Sequence, residues 1–250
     1  MTVQLSVNLN AVAMLRNRRN LPWPSVPRIG ILALQAGAVG LTVHPRPDQR
    51  HIRFTDVPEL RALTSQNAAE FNMEGYPSED FIRLVMVNRP DQVTLVPDNP
   101  SQSTSDHGWD FETHRGFLTE VVKELHERIA RVSLFCNPDE KETGLNAAKE
   151  TGAERIEIYT GPYGATYAST QAADEELKKI AATVTMADQI GLGVNAGHDL
   201  TVANLPPLIR TVPRLLEVSI GHALIGEAIE FGIAGAVRRF QQACLYTSER

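Results

Sequence analysis

Two histidines and two arginines lie within residues 44–51 of the segment GLTVHPRPDQRHIRF, residues 40–54, directly after a short apolar run. Residues 41–44 predict a buried strand, and the end of such a strand fixes the direction of the His44 side chain. Arg46, Arg50 and His51 supply positively charged donors suited to a phosphate or a carboxylate. A solvated basic turn after a core strand explains this segment equally well when it is taken alone.

Other short apolar runs also end in side chains that can do chemistry. Asn195 could instead be a hydrogen-bonded core amide, and Glu157 could pair with an arginine that closes the core. Several such groups at strand ends favour a site, because each buried ionisable group costs several kcal/mol unless it is paired. The candidates are Asn8, Asn10, His44, Glu74, Glu157, Asn195, His198, Ser219, Gly221 and His222.

The chemistry that these residue types indicate is general acid–base catalysis by His44, Glu74 and His198, whose pKa values burial can bring near neutrality. None of the five lysines follows a predicted strand, so an enzyme-bound Schiff base has no obvious carrier. The first predicted strand ends in asparagines, where a metal-dependent barrel hydrolase would present a His-x-His pair. No metal site is therefore expected.

The elements that must position these side chains alternate regularly between β and α. This alternation predicts a closed (β/α)8 barrel with its site at the carboxyl ends of the strands. An open doubly wound sheet would need a glycine-rich turn after the first strand, where residues 8–11 read NLNA. The predicted strands are residues 4–9, 41–44, 70–73, 93–96, 132–135, 155–159, 193–195 and 216–220. The predicted helices are residues 25–36, 57–64, 78–86, 113–130, 139–151, 170–191, 203–210 and 223–243.

The last predicted helix illustrates how spacing defines a buried face. Ile225, Ile229, Ile233 and Val237 recur every four residues, which predicts one apolar stripe along the helix. We therefore expect all four side chains to face the barrel.

Two places suit phosphate groups. Gly197-His198 and Gly221-His222 follow the seventh and eighth predicted strands, where many barrels hold a phosphate on backbone N–H groups and a helix N-terminus. The polar segment 97–110, which includes Thr104, is longer than an ordinary connection and fits a lid or binding loop, although plain disorder would also explain it.

Composition limits the class of protein. The chain has 250 residues, enough for one barrel domain spanning residues 1–250, and a net charge of −6, which argues against nucleic-acid and anionic-membrane partners. Two cysteines give no disulfide framework, and the N-terminus does not read as a signal peptide. The sequence predicts a cytoplasmic protein.

Eight segments, taken in order, resemble one known family. They are VNLNAVAMLRNRR, GLTVHPRPDQRHI, FNMEG, VTLVPD, RVSLF, IEIYTGPY, VNAGHDLT and SIGHALIG, and together they span nearly the whole chain. The resemblance is to the pyridoxine 5'-phosphate synthases of the deoxyxylulose-dependent vitamin B6 pathway. It implies a barrel with extra helices, a homo-octamer, and condensation of 1-deoxy-D-xylulose 5-phosphate with 3-amino-2-oxopropyl phosphate. It implies no metal and no organic cofactor.

The resemblance also assigns roles to residues. His44 and Glu74 would be general bases, His198 the proton donor and Glu157 a transition-state stabiliser. The sugar phosphate would be held by Arg46, His51 and Thr104, and the amino phosphate by Asn8, Arg19, Gly221 and His222.

The chain departs from the family pattern at two positions after the first strand and at one after the seventh. Asn10 and Ala11 stand where the family has Asp-His, and Asp199 replaces a glycine after the catalytic histidine. Asn10 and Asp199 are kept as substrate-binding candidates, and the acid–base residues are unchanged, so we expect a divergent branch with the same reaction. A phosphosugar isomerase or epimerase, and a non-catalytic barrel that binds a phosphorylated ligand, are the alternatives.

Overall fold

The computed structural model describes residues 2–19, 21–98, 102, 104–166, 168–212 and 214–245. Eight strands form in these residues, and their centres coincide with the eight strands predicted from sequence. The strands are β1 (Gln4–Asn8), β2 (Gly40–Val43), β3 (Glu70–Gly75), β4 (Gln92–Leu95), β5 (Arg131–Cys136), β6 (Arg155–Tyr159), β7 (Gly193–Gly197) and β8 (Leu215–Ile220).

The strands close into a barrel in chain order, because each pairs in parallel with the next and β8 pairs with β1. The predicted (β/α)8 barrel is therefore confirmed. Since all strands are parallel and neighbours are aligned, their carboxyl ends meet at one rim. Side chains that follow different strands are brought together there.

Helices connect the strands, and ten form in the described residues. Two of them, α1 and α7, lie outside the helices predicted from the spacing of apolar residues. None of the described helices is long and apolar enough to cross a membrane. The helices are α1 (Asn10–Asn17), α2 (Val26–Gln35), α3 (Asp56–Gln66), α4 (Glu79–Asn88), α5 (Phe111–Leu125), α6 (Glu142–Glu150), α7 (Gly161–Gly164), α8 (Thr170–Gln189), α9 (Leu205–Thr211) and α10 (His222–Ala243).

Side-chain caps fix where several of these helices begin. Ser25, Ser78, Asp110 and Ser169 each accept a hydrogen bond from a backbone N–H in the first turn of α2, α4, α5 and α8, respectively. Such a cap satisfies one of the N–H groups that have no partner within the helix. These caps therefore fix the first residue of each of these helices, and with it the length of the loop that precedes the helix at the rim.

The interior of the barrel is polar, whereas the layer between strands and helices is apolar. Along β2, Leu41 and Val43 are buried against the helices, while Thr42 points inward and its hydroxyl lies 2.8 Å from that of Ser6. Thr94 likewise donates to Asn72 across 3.2 Å. These inward side chains satisfy one another, which allows polar groups to fill a buried space.

The predicted apolar stripe on the last helix is wrong at one position. Ile229 is 83% exposed, although Val237 is fully buried. Gly232 adopts φ +68°, which interrupts the helix with a kink three residues after Ile229. A four-residue spacing cannot continue through such a break, so the face that packs on the barrel changes within α10.

Candidate active site

A cavity of about 250 Å³ lies at the carboxyl ends of the strands. Most of the site residues predicted from sequence line it, but Arg19, Arg50, Asn195 and Gly197 do not. Asn195 is a hydrogen-bonded core amide, because its Oδ1 accepts from Arg155 and its Nδ2 donates to Gln92. Arg19 is exposed in the turn that follows α1, so its role stays a prediction. The residues that line the cavity come from β1, β3, β6 and β8, from the loops that follow β2, β4 and β7, and from the first turns of α1 and α10.

Two asparagines at the end of β1 orient the start of the loop after β2. The Asn10 backbone N–H donates to Asn8 Oδ1 across 2.9 Å, and the His44 backbone N–H donates to Asn10 Oδ1 across 2.9 Å. Asn10 thus accepts a hydrogen bond that holds the backbone of His44 in place. This leaves its amide nitrogen as the part of the side chain with free hydrogens for a ligand.

Glu74, at the end of β3, is a buried carboxyl group within a cluster of acids. Burial raises its pKa well above the ordinary value, and the nearby charges of Glu157, Asp98 and Glu217 raise it further. Burial also raises the pKa of Glu157 to about 7, opposed by a hydrogen bond from Thr94. The pKa of Glu157 thus lies near neutral pH and that of Glu74 is shifted in the same direction, which suits both carboxyl groups to acid–base catalysis.

Two histidines beside this cluster are neutral at neutral pH. Burial lowers the pKa of His44 well below its ordinary value, and electrostatic interactions with His51 and Arg46 act in the same direction. Burial lowers the pKa of His51 to about 4, and its Nδ1 accepts a hydrogen bond from the Ile52 N–H at 3.0 Å. His51 therefore donates through Nε2–H but carries no charge, which corrects the prediction that it is a positive donor. Neutral His44 can accept a proton.

Asp98 is a site residue that the sequence interpretation missed. It follows β4, is 4% exposed, and its Oδ2 accepts from Arg46 Nη1 at 2.6 Å and from Ser105 Oγ at 2.8 Å. His44 Nε2 lies 4.0 Å from the same oxygen. Asp98 lies just after β4, so the expectation that polar residues near strand ends form the site also applies to it.

The loop after β4 is hydrogen-bonded to the loop after β2. Arg46 Nη2 and Arg50 Nη1 donate to the Gln102 carbonyl at 3.1 and 2.7 Å. Farther along, Trp109 Nε1 donates to the Leu95 carbonyl at 2.9 Å. Thr104 lines the cavity between these attachments. Within the predicted segment 97–110, residues 99–101 and 103 lie outside the described residues, and of the others Thr104 and Ser105 line the cavity.

His198, the predicted proton donor, directly follows β7. Its ring lies between two aromatic rings, with centroids 5.2 Å from Phe135 and 5.5 Å from Tyr159. Burial lowers the pKa of His198, while the negative charges of Asp199 and Asp98 oppose this shift. The orientation of the imidazole is therefore fixed by aromatic contacts, and its protonation depends on two nearby carboxylates.

The opposite side of the cavity is formed by the start of α10. Gly221 precedes the helix, and a side chain at this position would come within 3.1 Å of Asn8. The glycine therefore allows the end of β8 to approach the end of β1. The first N–H groups of a helix have no carbonyl partner one turn earlier, so they can bind an anion. His222 and Ala223 line the cavity at this point.

A larger cavity of about 1030 Å³ adjoins the first and shares His44 and Arg46 with it, while Asp98 lines the larger cavity. Its far wall includes Tyr76 and Trp109, whose stacked rings have centroids 6.0 Å apart. The rim thus offers more space beside the acid–base residues than one small ligand needs.

Solved structures with low sequence identity share this architecture. A thiamine phosphate pyrophosphorylase from Pyrococcus furiosus aligns with a TM-score of 0.61 at 15% identity, covering 97% of this chain and 95% of that chain. Tryptophan synthase from Mycobacterium tuberculosis aligns with a TM-score of 0.65 at 13% identity, covering 98% of this chain and 94% of that chain. At these identities the likeness shows the barrel fold alone.

Curated relatives are much more similar. A pyridoxine 5'-phosphate synthase from Chelativorans sp. is 62% identical over 98% of this chain and 99% of its own length. The enzymes of that name from Agrobacterium fabrum and Brucella abortus are 60% and 57% identical, over 98% and 96% of this chain and 98% of each relative. The family model described as pyridoxal phosphate biosynthesis protein PdxJ matches residues 5–245. The chain therefore belongs to the PdxJ family.

Proposed function

We propose that this protein forms pyridoxine 5'-phosphate from 1-deoxy-D-xylulose 5-phosphate and 3-amino-2-oxopropyl phosphate, releasing inorganic phosphate and water. The relatives that share 57–62% of its residues carry the corresponding name. The observation that carries the proposal is the convergence of His44, Glu74 and His198 on one cavity. These residues lie far apart in sequence, at the carboxyl ends of three different strands.

The reaction requires proton transfers at several stages. Joining an amine to a ketone and closing a ring both require protons to leave nitrogen or carbon, and departing oxygens require protons in return. Neutral His44 and the ionised form of Glu74 would accept protons, and the protonated form of His198, which Asp199 and Asp98 favour against burial, would donate them. Glu157 would stabilise positive charge that develops on the condensing nitrogen. The nucleophilic amine belongs to the substrate, so the reaction needs no catalytic lysine.

The two phosphate groups would bind at opposite sides of the cavity. Arg46, with His51, Thr104 and Ser105, lines the side formed by the loops after β2 and β4. Gly221, His222 and the start of α10 form the other side. Asn10 would donate a hydrogen bond to a sugar oxygen, because its own oxygen is already occupied by the His44 N–H.

A direct experiment is to mix both substrates with the purified protein and to follow pyridine fluorescence and phosphate release together. Formation of both products at equal rates supports the proposal. Turnover of either substrate alone would instead indicate an isomerase or epimerase. Thermal stabilisation by the substrates without any product would indicate a non-catalytic phosphometabolite-binding barrel.

We also propose that the protein is a cytoplasmic homo-oligomer, with the octamer of the family as the expected state. Trp23 is 63% exposed, and Met14, Leu15 and Phe231 on α1 and α10 are also exposed. A surface with this many apolar side chains suits contact with another subunit. Both cysteines are free and buried, which suits a reducing compartment. Sedimentation velocity on the purified protein would measure the oligomeric state.

A further inference from the structure

The turn after β7 has an unusual backbone. His198 adopts φ +81° and Asp199 adopts φ +55°, so two consecutive residues with side chains lie in the left-handed region. This conformation is unfavourable for residues that carry a Cβ atom and persists only where surrounding contacts enforce it. The first of these residues is the proposed proton donor, so whatever enforces the turn also places the imidazole.

One buried hydroxyl contacts this turn twice. Thr160, which follows β6 and is fully buried, has its Oγ1 2.6 Å from the Gly197 carbonyl and 2.6 Å from the His198 carbonyl. Its backbone N–H also donates to the Gly197 carbonyl at 2.9 Å. A hydroxyl has one hydrogen to donate, and here it lies between two successive carbonyls of the turn.

The residues that follow Thr160 support the same turn. A side chain at Gly164 would overlap Asp199 Cβ and lie 2.8 Å from the Asp199 carbonyl, so α7 rests directly on the turn. Tyr163 Oη donates to the Asn204 carbonyl at 2.7 Å, and Asn204 Nδ2 donates to the Asp199 carbonyl at 3.0 Å. The carbonyls of all three residues from Gly197 to Asp199 are thus held by side chains.

We propose that Thr160 is a positioning residue for His198, holding the left-handed turn so that the imidazole stays between Phe135 and Tyr159 and faces the cavity. Its hydroxyl does not line the cavity, and it acts only through the backbone of residues 197 and 198. The role of His198 as proton donor rests on the proposed function. The placement of the His198 ring by Thr160 does not depend on the proposed function.

The test compares Thr160→Val, which removes the hydroxyl at nearly constant volume, with Thr160→Ser, which keeps it. Thr151→Val is the matched control, because Thr151 is also buried and donates to the Ala148 carbonyl at 2.6 Å, away from the cavity. We expect Thr160→Val to lower kcat by about 10- to 100-fold, as small misplacements of a catalytic group do, with KM changed by less than about threefold. Thr160→Ser should recover most of the activity, and Thr151→Val should keep kcat.

A second background tests whether the strained turn is what Thr160 holds. In Asp199→Gly the second residue of the turn loses its Cβ and adopts a positive φ without strain. The loss of kcat caused by Thr160→Val should therefore be several-fold smaller in the Asp199→Gly background. An equal loss in both backgrounds would show that Thr160 acts in some other way and would overturn the proposal.

A measurement that needs no turnover completes the test. The ring C–H resonances of His198, assigned with His198→Gln, report its position because Phe135 and Tyr159 shift them by ring currents. They should move in Thr160→Val and stay in Thr160→Ser and Thr151→Val. If the wild-type protein makes no pyridoxine 5'-phosphate, the proposed function fails and these resonances alone decide the role of Thr160. Unchanged resonances in Thr160→Val would overturn the proposal.

Discussion

Asn8 Nδ2 donates a hydrogen bond across 3.4 Å to Oε2 of Glu74, joining the end of β1 to the end of β3 around the rim. The Asn8 oxygen already accepts from the Asn10 N–H, so the amide cannot rotate to present its oxygen to the carboxyl group. A donor in this place favours the ionised form of Glu74, against the effects of burial and of the neighbouring acids. The carboxylate form is the one that a general base needs.

Replacing Glu74 with glutamine should abolish catalysis while preserving binding. The amide keeps the size of the side chain but accepts no proton, and a general base contributes about 10²- to 10⁴-fold to a rate. We expect kcat to fall by that factor, while calorimetric affinity for each single substrate stays within about threefold of wild type.

Glu70→Gln is the matched control for this variant. Glu70 lies at the other end of the same strand, where it pairs with Arg131. This change should reduce stability with little effect on kcat. Unchanged turnover in Glu74→Gln would remove Glu74 from the mechanism.

The acid limb of the pH–rate profile should respond to Glu157. Burial and the Glu157 charge raise the pKa of Glu74, so its basic form disappears as pH falls through a value above the ordinary one. Glu157→Gln removes the negative neighbour and lowers the pKa of Glu74, which moves the acid limb of kcat/KM to lower pH.

Glu217→Gln should shift this limb in the same direction but less, since Glu217 contributes less than Glu157 to the raised pKa. Rates measured across pH 4 to 9 would check both shifts. A limb that stays in place in Glu157→Gln would show that another group controls it.

Asp98→Asn should destabilise the protein. Asp98 and Arg46 form an ion pair whose two side chains are each 3% exposed, and removing the negative charge leaves the guanidinium buried beside a neutral amide. Breaking a buried pair costs about 3 kcal/mol or more. Urea unfolding would measure the change in free energy.

Glu150→Gln provides the contrast, because Glu150 pairs with Arg115 where both side chains are more than half exposed. Such a pair is worth about 1 kcal/mol or less. Equal effects of Asp98→Asn and Glu150→Gln would mean that burial does not determine the strength of the Asp98 pair.

Gly108→Ala should displace the loop after β4. An added Cβ would overlap the backbone nitrogen of Asn137 and lie 2.5 Å from the Cys136 carbonyl carbon, so the backbone must shift. Thr104 and Ser105, which line the cavity, precede this glycine by a few residues. We expect a loss of about 1–3 kcal/mol in stability and a raised KM for the sugar phosphate.

Gly116→Ala is the control for added volume, since a Cβ at this helical position meets nothing within 4 Å. This variant should be stabilised by about 0.5–1 kcal/mol with kinetics unchanged. A wild-type KM in Gly108→Ala would show that the loop tolerates the shift without affecting the site.

The sequence by itself determined the order of strands and helices and which side chains end the strands. Apolar runs and their spacing are local properties, and a closed parallel barrel brings every strand end to one rim. For this reason the sequence alone predicts that His44, Glu74, Glu157 and His198 lie together, and all four line one cavity.

The tertiary structure decided the partners and the protonation of those side chains. The pairing of Arg46 with Asp98, the neutral state of His51 and the support of His198 by Thr160 all depend on contacts between segments far apart in the chain. The exposure of Arg19 likewise depends on where the turn after α1 lies in the folded barrel. Burial and distance set hydrogen bonds and pKa values, and neither quantity is defined until the barrel closes.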